Sequence, residues 1–225
     1  MTLRNLLPGL SLLALVTVPG YAQAQKVLRP DLNGIATRQG WEIENRGATV
    51  AVEEGRTVVT FDGRAGDGAA WLEDVDFHNG TIEVLIRGKN VPQQSFVGIA
   101  FRGVDHETYD AVYFRPFNFL ADNELSRSHH VQYISHPVNT WSKLRREHTG
   151  VFENEIVDPP APDGFFKARI EIDKPEIRVY VNDAVEPSLV ISELTDRVGG
   201  RIGLWMGNNS DGSFAELVLR PARSP

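Results

Sequence analysis

Apolar and polar positions alternate with a period of two along most of this chain, which is the mark of strands buried on one face. The clearest instance is residues 94–119, which divide into two strands, 96–103 and 109–115, joined by a polar turn. In the first strand Val97, Ile99 and Phe101 make one face, and Phe96, Gly98, Ala100 and Arg102 make the other. The second strand repeats the arrangement, with Val112 and Phe114 set against Tyr109, Ala111, Tyr113 and Arg115. A face of small residues, tyrosines and arginines opposite a bulky apolar face reads as a sheet surface that receives a ligand.

The same alternation predicts strands at 41–44, 48–52, 56–62, 69–75 and 81–87, and again at 165–173, 176–182, 189–194, 201–207 and 214–221. Residues 201–207 share the character of the hairpin: Ile202, Leu204 and Met206 face one way, and Arg201, Gly203, Trp205 and Gly207 face the other. Between the two groups lies a long irregular insertion, 116–164, in which only 130–135 has strand character and 141–147 reads as a short helix or an extended strap. It holds Phe117, Phe119, Tyr133, Trp141 and Phe152, so it is not disordered by composition, and loops of this length inside a compact domain are usually functional. About a dozen antiparallel strands in ~200 residues make the fold all-β, a two-sheet antiparallel sandwich.

The first 24 residues stand apart. A cation at Arg4, an apolar run over 6–18 and small residues at Ala22 and Ala24 read as a secretory signal peptide. The run is shorter than the ~20 apolar residues a spanning helix needs, so no membrane span is expected in the mature chain. Residues 25–40 read as a connector and 41–221 as one domain, exported to the periplasm or the cell exterior. The formal net charge of −7 over 225 residues makes nucleic acid and anionic lipid poor partners. The sequence has no cysteine, which excludes disulfides, a thiolate nucleophile and thiolate metal ligands, and leaves a large sheet core to supply stability.

The succession FHNGTIEVLI, SFVGIAFRG, YDAVYFRPFNF, HHVQYIS, FFKARIEID, IRVYVND and GRIGLWMGNNSDGSFAELVL resembles the concanavalin A-like lectin/glucanase superfamily. Within it the chain looks most like the exported bacterial laminin G-like and 3-keto-disaccharide hydrolase-type domains. The resemblance covers about residues 41–219 and implies a jelly roll of two curved sheets, with carbohydrate recognised on the concave sheet or its rim. It is a signature of fold rather than of function, since binding modules and glycosidases share it. Retaining glucanases of the superfamily carry a Glu-x-Asp-x-Glu or Glu-x-Asp-x-x-Glu strand, which sets two carboxylates at the spacing double displacement requires. This chain has no such triplet; Glu153 with Glu155 and Glu42 with Glu44 lack the intervening aspartate.

Candidate chemistry follows from these phases. Arg102, Tyr109, Tyr113, Arg115 and Trp205 are expected to share the ligand face, where rings stack on sugar C–H faces and arginine forks hold hydroxyl pairs or a carboxylate. Asn118 and Gln132 are expected beside them, with Gln132 on the same strand face as His130. The leading expectation is a carbohydrate-binding domain. The alternative is a glycoside-active enzyme, hydrolase or lyase, that uses His130 or Glu153 as base with arginine stabilisation; Arg145 and Arg146 stand near enough to keep Glu153 ionised. Asn208 to Gly212 is rich in oxygen donors and reads as a turn, and Asp211 within it is a candidate for the structural calcium that the superfamily often carries.

Overall fold

The structure, a computed structural model, describes residues 27–223; the signal-peptide reading of 1–24 lies outside the described residues. The strands run β1 (Trp41–Glu44), β2 (Ala48–Glu53), β3 (Arg56–Phe61), β4 (Gly68–Leu72), β5 (Gly80–Arg87), β6 (Val97–Gly103) and β7 (Asp110–Phe114). They continue as β8 (Val131–Ser135), β9 (Glu153–Asn154), β10 (Phe166–Asp173), β11 (Glu176–Val181), β12 (Leu189–Ser192), β13 (Arg201–Met206) and β14 (Gly212–Pro221). Helices α1 (Gly34–Thr37), α2 (Glu124–Arg127) and α3 (Trp141–Glu147) are short. A front sheet has the order β1-β4-β13-β6-β7-β8-β9 and a back sheet β12-β11-β10-β5-β14-β3-β2. Every pairing is antiparallel, and the architecture is the jelly-roll sandwich that the alternation predicts.

The inward faces are those read from the sequence. Val97, Ile99 and Phe101 of β6, Val112 and Phe114 of β7 and Leu204 and Met206 of β13 are fully buried; so are Ile82, Val84 and Ile86 of β5 and Phe166, Ala168 and Ile170 of β10. The layers meet directly, as where Phe114 and Phe166 pack edge to face at 5.0 Å. Each of the larger side chains among them contributes roughly 1.5–3 kcal/mol of burial, and together they stabilise a chain that has no disulfides. The connector is docked as well: Leu28 exchanges two 2.9 Å backbone hydrogen bonds with Leu219, and Ile35 of α1 is buried.

Two strands break the alternation: β14 shifts register against β5 between Ala215 and Val218, with Glu216 at φ 53°, and β6 does so beside the candidate ligand face. Along the β6–β13 ladder Gly103 pairs with Arg201 and Ala100 with Gly203, so Phe101 and Arg102 together oppose Ile202. This is a β-bulge with Arg102 at φ 54°. Gly200 makes room for it at φ +147°, since a Cβ there would lie 2.6 Å from the Arg102 carbonyl carbon. The bulge turns Arg102 off the outer face, where simple alternation places it.

The insertion is less irregular than its composition suggests. Besides β8 it holds a 3-10 turn at Pro116–Asn118, α2, α3 and the edge strand β9. Thr140 caps α3 by accepting from the Lys143 N–H at 3.5 Å, and buried Leu144 fixes the helix to the sandwich. Trp141 and Arg145, four residues apart, therefore project from one helical face.

Candidate functional site

The outer face of the front sheet carries a continuous row of paired positions. Trp205 of β13 pairs with Gly98 of β6, Gly98 with Tyr113 of β7, Tyr113 with Gln132 of β8, and Gln132 with Glu153 of β9. Gly98 is required between the two rings: a Cβ there would stand 2.1 Å from the Val112 carbonyl oxygen and 2.8 Å from the Tyr113 Cβ. With nothing between them, the Tyr113 and Trp205 rings approach to 5.1 Å.

A cavity of about 340 Å³ lies over this row. Trp205, Tyr113 and Ile134 line it along the sheet, Asp67, His136 and Asn208 at one end, and Arg115, His129 and Arg145 at the other. Phe96, Phe117, Asn118, Gln93 and Trp141 complete the wall, and Trp141 is 50 % exposed with the Arg145 guanidinium 5.4 Å from its ring centre. Volume and lining fall within the ~300–1,000 Å³ range of small-ligand sites, where apolar surface is punctuated by a few convergent polar groups.

The basic end is a hydrogen-bond network. Arg115 donates to the Tyr113 hydroxyl at 2.7 Å, to the His129 carbonyl at 3.0 Å and to the Gln132 side-chain oxygen, which also accepts from the Tyr113 hydroxyl at 2.7 Å. Arg145 grips Glu153 through two bonds, 3.1 and 2.7 Å, with His129 Nε2 3.3 Å and Arg115 3.8 Å from the same carboxylate. Burial pushes the Tyr113 hydroxyl up to about 12, against the pull of Arg115, and it depresses the Arg115 guanidinium. Burial also holds the His129 imidazole below its ordinary value, opposed by Glu153.

The acidic end is simpler. Trp205 Nε1–H donates to the Tyr109 hydroxyl at 3.1 Å, which in turn donates to Asp67 at 3.3 Å. Burial raises the Asp67 carboxyl, opposed by His136, the Tyr109 hydroxyl, Arg46 and the Asn208 N–H. His136 is lowered by burial and supported by Asp67.

Of the residues singled out in the sequence, Tyr113, Arg115, Asn118 and Trp205 line the cavity, while Tyr109 and Gln132 lie beneath and brace it. Glu153 is 3 % exposed, with both oxygens engaged. Two expectations need correction. Arg102 does not reach the cavity: the bulge sends its guanidinium inward, to Glu193 at 2.9 Å, Asn79 at 3.3 Å and the carbonyls of His78 and Val198. His130 does not reach it either. Its ring is fully buried, with Nε2 on the Asn118 carbonyl at 2.8 Å and Nδ1 accepting from the Ile156 N–H at 3.0 Å, so neither nitrogen is free for a substrate.

Asp211 faces the Lys89 ammonium at 2.9 Å, an arrangement unlike the all-oxygen shell a calcium ion takes. Among the described residues no group of three or more His, Asp or Glu side chains is placed to hold a metal ion. Sequence reasoning missed Asp67, which sits in the glycine-rich 62–68 loop, and among the histidines of the 116–164 insertion it favoured His130, whereas His129 and His136, with Trp141, are the ones at the wall. The one signal for Asp67 is its place just before β4, whose end borders Trp205.

No protein-family model matches the chain, and no curated protein matches it. Solved structures do. The carbohydrate binding module CBM66 from Bacillus subtilis superposes with a TM-score of 0.56 at 14 % identity, over 80 % of this chain and 95 % of that one. The exoplasmic/lumenal domain of VIP36, solved in a Ca2+/Man3GlcNAc-bound form, gives 0.52 at 11 %, over 84 % and 86 %. The Emp46p carbohydrate recognition domain in its metal-free form gives 0.51 at 16 %, over 84 % and 91 %. At such identities the likeness is one of fold, the two-sheet antiparallel jelly-roll sandwich described above. Among the described residues no helix is long and apolar enough to cross a membrane.

Proposed function

We propose that this chain is an exported carbohydrate-binding domain that holds a saccharide in the front-sheet cavity. The observation that carries the reading is the Trp205–Gly98–Tyr113 row, two rings in contact beneath a cavity whose ends are polar. Sugar rings offer apolar C–H faces to aromatic surfaces and hydroxyls to the polar groups around them. Half-exposed Trp141 extends the apolar surface at the rim. Neighbours in fold named as carbohydrate-binding or carbohydrate-recognition domains support the reading, and the signal pattern of residues 1–24 supports export. Calorimetric titration with a panel of neutral and acidic oligosaccharides tests it. Binding by the wild type that falls about tenfold or more in Trp141→Ala agrees with the cavity; no binding across the panel overturns the reading.

A second reading, a glycoside-active enzyme, draws on one observation: His129 lines the cavity with a ring nitrogen on Glu153, the arrangement of a general base oriented by an acid. It replaces His130 in that role. Release of aglycone from aryl glucosides and their 3-keto derivatives, abolished in His129→Gln, is its expected result. No turnover above the buffer rate eliminates it.

A further inference from the structure

The β9 end of the cavity carries more positive charge than the protein neutralises there. Arg115 and Arg145 face one buried carboxylate, that of Glu153, so two cations against one anion leave one positive charge over. The two guanidinium groups are not equally committed. Arg115 is buried and gives its Nη atoms to the Tyr113 hydroxyl, the Gln132 oxygen and the His129 carbonyl. Arg145 meets Glu153 through Nε and Nη2 alone; its Nη1, with two N–H donors, has no hydrogen-bond partner among the described residues, and the side chain is 31 % exposed where it lines the cavity. The Asn118 amide and the Trp141 indole N–H line the same cavity and have no acceptor among the described residues either. Asp67, the one carboxylate in the lining, stands at the opposite end, where burial works against its charge.

We propose that the saccharide is acidic, and that its anionic substituent, a carboxylate or a sulfate, is held at the β9 end by the free Nη1 of Arg145 while the sugar ring lies over Tyr113 and Trp205. A hydrogen bond from a guanidinium to an anion is charge-assisted and about twice as strong as one to a neutral hydroxyl. Within a partly enclosed cavity the surplus charge is screened less than it would be on open surface, so an anion gains there what a neutral sugar does not. The inference rests on the saccharide reading above and adds to it a ligand class and the residue that recognises it.

The test uses matched disaccharides that differ only at C6, as alcohol, carboxylate or sulfate, in the gluco, galacto and manno series. Calorimetric titration of the wild type is expected to show at least one acidic member binding about tenfold or more tighter than its neutral counterpart, with an advantage that shrinks as salt is raised. In Arg145→Lys the single ammonium is drawn to Glu153, and the acidic-to-neutral affinity ratio drops toward one. In Glu153→Gln the fork of Arg145 is released, and the same ratio rises about threefold or more. Loss of fold produces neither change, and it cannot produce the rise. A wild type that binds the neutral members as tightly as the acidic ones overturns the inference, and so does a ratio that stays within about twofold of wild type in both variants; in each case the saccharide reading survives. If the wild type binds no member of any series, the saccharide reading itself fails and this inference falls with it.

Discussion

Arg102 and Arg115 end the two strands of one hairpin, and by alternation they are equivalent: each closes the small-residue face of its strand with a cation. The folded chain sends them to opposite fates. Arg115 stays on the outer face and becomes the hub beneath a cavity, giving its donors to a hydroxyl, an amide oxygen and a carbonyl. Arg102 sits on a bulge, turns inward and joins β6 to the loop after β12, where its partner Glu193 is also fully buried and takes a second bond from Lys174 at 3.0 Å. One extra residue in the ladder separates a residue of the site from a tie between the two sheets. Near Arg102, Asp110 carries a similar tie: it accepts from Tyr133 at 2.8 Å and from Arg197 at 2.6 Å.

If that contrast holds, the two arginines fail in different assays. Arg102→Met leaves Glu193 buried with Lys174 alone, and removal of one partner from a buried pair costs about 3–5 kcal/mol. Urea unfolding measures this, and under conditions where the variant is folded its saccharide affinity stays within about twofold of wild type. A loss below about 1 kcal/mol would mean that Arg102 is no tie. Arg115→Lys keeps the charge but cannot serve three acceptors from one fork, and it should weaken saccharide binding about tenfold, or ~1.4 kcal/mol, by titration. Unchanged affinity there would erase the distinction between the two ends.

What was legible in the sequence divides along the same line. The two sheets, the inward faces and the aromatic character of β7 and β13 follow from period two, because regular pairing preserves alternation. Arg102 was misplaced because a bulge reverses the phase of every residue at and beyond it, and nothing in FVGIAFRG announces one. Neighbouring His129 and His130 exchanged roles for a related reason. Residue 130 lies at the start of β8, where the Arg127 carbonyl and the Asn118 turn draw its ring into the interior and leave residue 129 to the cavity wall. Asp67 lay in a loop without periodicity, and only tertiary packing brings it beside Trp205.

Smaller effects sharpen the picture of His130 as a structural residue. Burial holds its imidazole below the ordinary value, so its contribution to stability is complete above about pH 6.5 and is lost as the pH falls through the folded-state value. Thermal unfolding followed from pH 7 downward should show wild type losing more stability than His130→Gln over that interval. Parallel losses would show that His130 does not titrate as a buried neutral ring. At the surface, Asp211→Ala removes a partly exposed pair with Lys89 and should cost no more than about 1 kcal/mol. Added calcium should leave the Tm of both proteins alike; a calcium-dependent rise in wild type that Asp211→Ala abolishes would make Asp211 a metal ligand.

The account stands most directly on where a ligand touches the front sheet. The four tryptophans report on it separately: Trp205 under the cavity, Trp141 at its rim, Trp41 in the core and Trp71 on the outer face near Arg201. A nitrogen–proton correlation spectrum recorded during titration with the tightest-binding saccharide should move the Trp205 and Trp141 indole signals and the Gly98, Tyr113 and Gln132 amides. The Trp41 and Trp71 indoles and the Arg102 and Gly103 amides should stay in place. Shifts concentrated instead at Arg102, Gly103 and Trp71, with Trp205 unmoved, would contradict the account.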